Sequence, residues 1–283
     1  MRKHPANPIG MIFFKARHIQ DSMSRYLEAR GLTIEQSYLR QNFFYDSLTR
    51  QGFPVREAVE NGYSPSNSKI IHKYLVEKEG IPIQWNEVLH SVADLEELCG
   101  RFDDARDTVR RYSDEYFESC FNSNFIDAIF FVKNGRFKSG SSSTSVGVSF
   151  YCIDCDWTIE ELACAYLHEC VHNALFIEDM IRSVFSEQRF LSSKEARVVS
   201  PIRKTERNFD LAFHAACVGI HLAPFYRNLD MHEKYNSLHA ALKQSSKDLQ
   251  KVWKSQREIE RNPLTENGEH ILANLIYEIA LLK

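Results

Sequence analysis

The stretch TIEELACAYLHECVHNALFI, residues 158–177, predicts the helix on which the rest of the interpretation depends. Thr158 and Glu161 fit a capping box, in which each side chain binds the backbone N–H of the other residue at the start of a helix. A helix is therefore expected to begin near Ile159 and to run past Ile177. Its apolar positions recur at helical spacing and are Ile159, Leu162, Ala163, Tyr166, Leu167, Cys170, Val171, Ala174 and Leu175.

The same helix carries the pattern H-E-x-x-H, with His168 and His172 four residues apart and Glu169 directly after the first histidine. Residues four apart lie one turn above each other, so both imidazoles project from the same side and can bind one cation. Glu169 points about 100° away around the helix axis, within reach of a metal-bound water or of a ligand that it orients. Burying two unpaired imidazoles in an apolar helix would be costly, which favours a metal site over two histidines satisfied by hydrogen bonds.

The segments before and after this helix predict a mainly α (α+β) fold. FIDAIFFVKNGRF, residues 125–137, is typical of a strand that runs into a turn at Asn134 and Gly135, and KSGSSSTSVGVSFYCI, residues 138–153, changes to strand alternation. Near the end of the chain, Pro263 and Gly268 interrupt the helical period and separate two long amphipathic helices. We expect a single domain of residues 1–283 with a helical part (1–121), a sheet plus metal-site core (122–228) and a helical hairpin (229–283).

Composition narrows the function classes. The 35 basic and 38 acidic residues are mixed along the chain and give a net charge of -3, so no long-range field favours nucleic acid or anionic lipid. No stretch approaches the roughly 20 apolar residues of a membrane span. Seven cysteines without framework spacing suit reduced thiols in the cytoplasm. Partners are expected to be small molecules or proteins.

A second group of polar residues lies in SPIRKTERNFDLAFHAACVGIHLAPFY, residues 200–226. Asn208 is expected to cap a helix that starts at Phe209 and places Asp210 and His214 on one side. His214 is the candidate third ligand, which puts the metal site between the H-E-x-x-H helix and a following helix. Asp210 is its rival, because two histidines and one carboxylate form a familiar oxygen-activating iron site.

Two sets of side chains before and around these helices are candidates for holding a cofactor. Arg203 and Arg207 precede the second helix, where two guanidinium groups could clamp a dicarboxylate by bidentate hydrogen bonds. The serines of residues 141–145 fit either a flexible surface loop or a strand edge whose hydroxyls face a ligand. Ser141 and Ser143 are the candidate cofactor contacts in the second case.

Two function classes other than an oxygen-activating iron enzyme stay open. In a zinc metallopeptidase, Zn²⁺ would polarise a peptide carbonyl and Glu169 would deprotonate the attacking water. The metzincin extension fails, because Leu175 and Glu178 stand where glycine and histidine are required. Glu187 or Glu195 could then supply the third zinc ligand. A binding or scaffold protein without catalysis is the remaining class.

The three segments SGSSSTSVGVSF, AYLHECVHNAL and SPIRKTERNFDLAFHAACVG, within about residues 139–222, resemble the HExxH-motif proteins associated with modified-peptide gene clusters. The resemblance implies a non-haem Fe(II)- and 2-oxoglutarate-dependent peptide β-hydroxylase. His168 and His172 match the iron histidines, and His214 matches the third-ligand position. Arg203 and Arg207 match the arginines of the family's R-x-x-x-R segment.

The chain departs from the family pattern where Ile202 replaces tryptophan and where Glu206 and Asn208 replace prolines. The resemblance implies that 2-oxoglutarate and O₂ occupy open positions on the iron, with an arginine on the distal carboxylate and Glu169 as an anchor behind the ligands. The expected outcome is hydroxylation of an unactivated C–H bond. The substrate would be a peptide or a small amino-acid-like molecule.

Overall fold

The computed structural model describes residues 16–32, 46, 50, 92–112, 128–131, 138–143, 146–152, 157–186, 188–258 and 261–282. These ranges are mainly helical with small sheets, as predicted. None of their helices is long and apolar enough to cross a bilayer. The helices are α1 (Ala16–Ala29), α2 (Val92–Tyr112), α3 (Ile159–Arg182), α4 (Gln188–Leu191), α5 (Phe209–Asn228), α6 (His232–Arg257) and α7 (Glu266–Leu281). The strands are β1 (Ala128–Phe131), β2 (Ser139–Ser141), β3 (Val148–Tyr151), β4 (Val198–Val199) and β5 (Glu206–Arg207), and a 3₁₀-helix covers Lys194–Ala196.

Contacts between Cα atoms divide the chain into two compact units. Among the described residues, the amino-terminal unit contains those between 16 and 111 and between 128 and 177, and the carboxy-terminal unit contains Tyr112 and those between 178 and 282. Helix α3 contributes residues to both units, with the division after Ile177. The single domain of residues 1–283, with parts 1–121, 122–228 and 229–283, stays a prediction.

The amino-terminal unit contains the predicted sheet, with strand order β1-β3-β2. Strand β1 runs parallel to β3, and β2 runs antiparallel to it with Ser139 opposite Tyr151. Every residue of β3 is buried, because it is the central strand and is covered on both faces. The strands predicted within residues 125–153 are therefore confirmed, while the turn predicted at Asn134 and Gly135 lies outside the described residues.

Helix α2 packs against both the sheet and α3 through an aromatic cluster. The Phe102 ring meets the rings of Tyr151 and Tyr166 edge to face, at centroid distances of 4.8 and 5.4 Å. Such pairs stabilise a core by about 0.5–1.5 kcal/mol beyond the burial of their area. The cluster therefore ties one helical face to the strand and the helix that carry the candidate site.

In the carboxy-terminal unit, helices α5, α6 and α7 pack against one another. Most of α5 is buried, and Gly219 admits the Leu242 side chain so closely that a Cβ there would lie 2.8 Å from its Cδ2. Helices α6 and α7 are the two long helices predicted within residues 229–283, and that prediction is confirmed.

Gly268 does not separate these helices, contrary to the sequence interpretation. Helix α7 begins earlier, at Glu266, and Thr265 caps it by accepting a hydrogen bond from the Gly268 N–H at 3.1 Å. A Cβ on Gly268 would lie 2.1 Å from the carbonyl oxygen of Val184. Glycine is required here because another backbone segment touches the first turn of the helix, so the residue marks a close contact rather than a break.

Candidate metal centre

The capping box at the start of α3 forms as predicted. The Thr158 N–H donates to Glu161 Oε2 at 3.2 Å, and the Glu161 N–H donates to Thr158 Oγ1 at 3.1 Å. Helix α3 begins at Ile159 and continues to Arg182. This cap fixes where the helix starts along the chain, and therefore which turns carry the two histidines.

His168 and His172 face each other from successive turns of α3. Their Nε2 atoms lie 3.1 Å apart, and their ring centroids lie 4.8 Å apart. The His172 ring also stacks on Phe176 at 6.0 Å, which limits its rotation. This Nε2 separation is a hydrogen-bond distance between the two rings. Two metal–nitrogen bonds of about 2.1 Å can span the same distance. The pair therefore fits a metal ion as two ligands held by one helix.

Glu169 points away from the pair, into the contact between α3 and the sheet. Its side chain is 1% exposed. Both carboxylate oxygens accept hydrogen bonds from β2, one from the Ser139 hydroxyl at 2.6 Å and the other from the Ser141 hydroxyl at 2.7 Å. Hydrogen bonds to a charged acceptor contribute about 1.5–3 kcal/mol each and offset the cost of burying a carboxylate.

Asn173, four residues after Glu169, completes this polar contact. Its amide nitrogen donates to Ser149 Oγ at 3.1 Å and to the Glu169 carbonyl at 2.9 Å. Its side-chain oxygen accepts from the Gly147 N–H at 2.7 Å. Gly147 has a φ of +90°, which only glycine adopts readily, and this backbone conformation presents its N–H to α3.

Asn173 and Ser139 were not identified from the sequence as members of this contact. One signal was present: an asparagine at the i+4 position from the glutamate of H-E-x-x-H lies on the same helical face as that glutamate. A polar residue at that position in an otherwise apolar helix needs a partner. The identity of the partner depends on which strand packs there, which the helix sequence does not specify.

Two buried side chains beside this contact stay protonated. Burial raises the pKa of the Cys170 thiol, which is 1% exposed. Burial, with a smaller effect of the Glu169 charge, raises the pKa of the Tyr151 phenol far above its usual value. Neither group therefore adds a negative charge near the histidine pair at neutral pH.

Ser141 and Ser143 differ from each other in their surroundings. Ser141 lies in the edge strand β2, as one of the two predicted alternatives had it, but its hydroxyl binds Glu169. Ser143 is exposed. Contact of these two residues with a cofactor stays a prediction.

His214 lies in α5 of the carboxy-terminal unit. It is 8% exposed and stacks on the Phe185 ring at 5.9 Å. Burial lowers the pKa of His214 to about 4, so the imidazole is neutral at pH 7, the form that binds metals. Its role as third ligand to the pair on α3 stays a prediction.

Asp210, the rival third ligand, has its Oδ1 atom buried without a hydrogen-bond partner. Burial raises the pKa of Asp210, and the charge of Asp179 adds to the rise, while backbone hydrogen bonds and Arg207 lower it. Asn208 is the N-cap residue of α5, which begins at Phe209 as expected, but its side chain makes no capping hydrogen bond. The backbone of Asn208 still accepts the first helical bond, from Ala212.

The arginines of the predicted clamp occupy different positions in this unit. Arg203 is exposed in the turn after Ser200, and Arg207 is half-buried in β5, opposite Val198. A cavity of about 420 Å³ borders the same segment, and its basic lining residues are Lys204 and Lys234. Lys204 has a φ of +56° and donates to Ser237 Oγ at 2.6 Å. Binding of 2-oxoglutarate by Arg203 or Arg207 stays a prediction.

Within the described ranges, no three His, Cys, Asp or Glu side chains are grouped so that they could hold a metal ion. Of the predicted site residues, the structure brings His168 and His172 together and connects Glu169 to the sheet. Glu195, a candidate zinc ligand in the peptidase alternative, is exposed, and Glu187 lies outside the described residues. Comparison with known protein families and with curated proteins gives no match. The function is therefore inferred from the chemistry of the pair and its supporting residues.

Proposed function

We propose that the protein is a non-haem Fe(II)- and 2-oxoglutarate-dependent oxygenase. One observation carries the proposal: α3 holds two Nε2 atoms 3.1 Å apart, and the glutamate of the same motif has both its oxygens bound by serine hydroxyls of the sheet. The histidines supply two ligands, and His214, predicted from the sequence, is the proposed third. Its substrate is a peptide or a small amino-acid-like molecule that is hydroxylated at an unactivated C–H bond.

The environment of Glu169 favours an oxygenase over a peptidase. In a zinc peptidase this carboxylate takes a proton from the attacking water, so it needs an available oxygen that faces the metal. Here both oxygens accept short hydrogen bonds and the side chain is almost fully buried. A carboxylate held in this way suits an anchor that orients the helix carrying the ligands.

The residues of the chain have separate tasks in this proposal. His168 and His172 bind the metal through Nε2, and Phe176 restricts the His172 ring. Iron with bound 2-oxoglutarate and O₂ would supply the oxidising chemistry. Arg203 or Arg207 is proposed to pair with the distal carboxylate of 2-oxoglutarate, which a planar guanidinium binds in a bidentate manner.

The proposal is tested by product formation in the full-length protein. We expect succinate to form only when Fe(II), 2-oxoglutarate and O₂ are all present. Glu169→Gln keeps the side-chain shape but removes the charge, so activity at limiting iron should fall about 10–100-fold and recover as iron is raised. Glu195→Gln, a change at an exposed glutamate, should leave activity unchanged.

A peptidase would give a different pattern. Loss of a general base is not restored by more metal, because the missing proton acceptor is part of the chemical step. Zinc-dependent peptide cleavage without oxygen that Glu169→Gln abolishes at every metal concentration would contradict the oxygenase. Loss of activity in Glu195→Gln would also favour the peptidase, in which Glu195 is a candidate zinc ligand.

A further inference from the structure

The contact between α3 and the sheet is built from directional hydrogen bonds rather than from apolar packing alone. Glu169 and Asn173 lie on one stripe of the helix, and Ser139, Ser141 and Ser149 lie on the facing side of the sheet. We call these residues, with the Gly147 N–H, the polar clamp. Its buried members Glu169, Asn173 and Ser149 are each at most 1% exposed.

The sheet register explains why these hydroxyls face the same way. Ser141 pairs with Ser149 across β2 and β3, and Ser139 pairs with Tyr151. Residues two apart on a strand share a face, as do directly paired residues on neighbouring strands. The three serine side chains therefore present a row of hydroxyls to α3, spaced to meet side chains one helical turn apart.

The clamp residues are offset from the metal ligands in a regular way. His168 directly precedes Glu169, and His172 directly precedes Asn173, so each ligand lies about 100° around the helix from a clamp residue. A helix with its side chains has a radius of about 5–6 Å, so a rotation of 10° would move both Nε2 atoms by roughly 1 Å. Because both histidines lie on one helix, the rotation leaves their Nε2 separation unchanged and moves the pair as a unit. A metal site tolerates errors of only about 0.2 Å in the distance to a ligand from another segment.

We propose that Ser139, Ser141 and Asn173 are positioning residues that set the rotation of α3 and thereby the direction in which the metal-binding pair points relative to the other ligands of the metal. Apolar contacts permit small rotations of a helix, because they have no preferred direction. Hydrogen bonds weaken steeply as their angle departs from linearity, so bonds at two successive turns resist both rotation and sliding. The inference rests on the proposed function, because it concerns the same metal site.

The experiment uses Co(II), whose visible absorption reports the geometry of its ligands, with the full-length protein. Ser139→Ala combined with Ser141→Ala removes both hydroxyls from Glu169 and should weaken Co(II) binding about 10–100-fold and alter the band. Ser139→Thr combined with Ser141→Thr keeps the hydroxyls and should restore the Co(II) affinity and the absorption band toward those of the unsubstituted protein. Thr108→Ala is the matched control, because its buried hydroxyl binds the Asp104 carbonyl of its own helix, α2.

Folding is checked by circular dichroism and thermal unfolding. If the double alanine variant does not fold, Ser139→Ala and Ser141→Ala are measured singly, since each leaves one hydroxyl on Glu169. Folded variants with the starting Co(II) affinity and band would overturn the positioning role. If the protein without substitutions binds no Co(II), the result would instead overturn the metal site itself, and with it the proposed function.

Discussion

His168→Ala should reduce the affinity of the protein for Fe(II) or Co(II) by more than about 100-fold. The Nε2 atoms of His168 and His172 lie 3.1 Å apart and offer the metal two bonds from one rigid helix. Removing one leaves a single imidazole on α3 and loses the advantage of a prearranged pair. Even changes behind the ligands usually cost 10–100-fold, and loss of a ligand should cost more. Metal titration of the purified protein measures the effect.

The matched control for this prediction is His232→Ala. His232 is a histidine at the start of α6 whose side chain is 68% exposed, so its removal should leave metal affinity unchanged. Equal metal binding by His168→Ala and the starting protein would show that the pair is not the site. His172→Ala should behave like His168→Ala, because each histidine is proposed to supply one Nε2 bond to the metal.

Gly268→Ala should destabilise the protein by about 2–4 kcal/mol or prevent folding. The added Cβ would lie 2.1 Å from the Val184 carbonyl oxygen and about 3 Å from Leu264, and backbone cannot move aside as a side chain can. The neighbouring hydrogen bond from the Thr265 N–H to the same carbonyl would be disturbed as well. Denaturant unfolding measures the loss.

Gly100→Ala is the control, because it makes the same chemical change where there is room. Gly100 lies within α2, is exposed and has nothing within 4 Å of an added Cβ. Alanine there should stabilise the helix by about 0.5–1 kcal/mol. Equal effects of the two substitutions would contradict the close approach at Gly268.

Local patterns predicted much of the helical structure. The start of α3 followed from Thr158 and Glu161, whose capping box involves residues three apart in sequence. The two long helices of the carboxy-terminal segment followed from apolar periodicity in the same way. Such signals are readable because all the interacting groups lie within one or two helical turns of each other.

Contacts between distant segments were harder to predict. Gly268 was misinterpreted because its neighbour is Val184, distant in sequence. The partners of Glu169 and Asn173 depend on the register of β2 against β3. A shift of one residue would have turned the serine hydroxyls to the other face of the sheet.

The candidate site was accordingly predicted in part. The pairing of His168 with His172 followed from their spacing, and the structure brings their Nε2 atoms together. Glu169 was expected to serve as an anchor, but the hydroxyls that hold it were not identified together from the sequence. The roles of His214, Arg203 and Arg207 depend on long-range packing and remain predictions.

The most direct test of the oxygenase is anaerobic reconstitution with Fe(II), followed by 2-oxoglutarate, while the visible spectrum is recorded. Chelation of the metal by the keto acid gives a weak charge-transfer band, and we predict that this band appears in the starting protein and is lost in His168→Ala. Absence of the band in a protein that retains zinc tightly would contradict the oxygenase and favour a zinc enzyme.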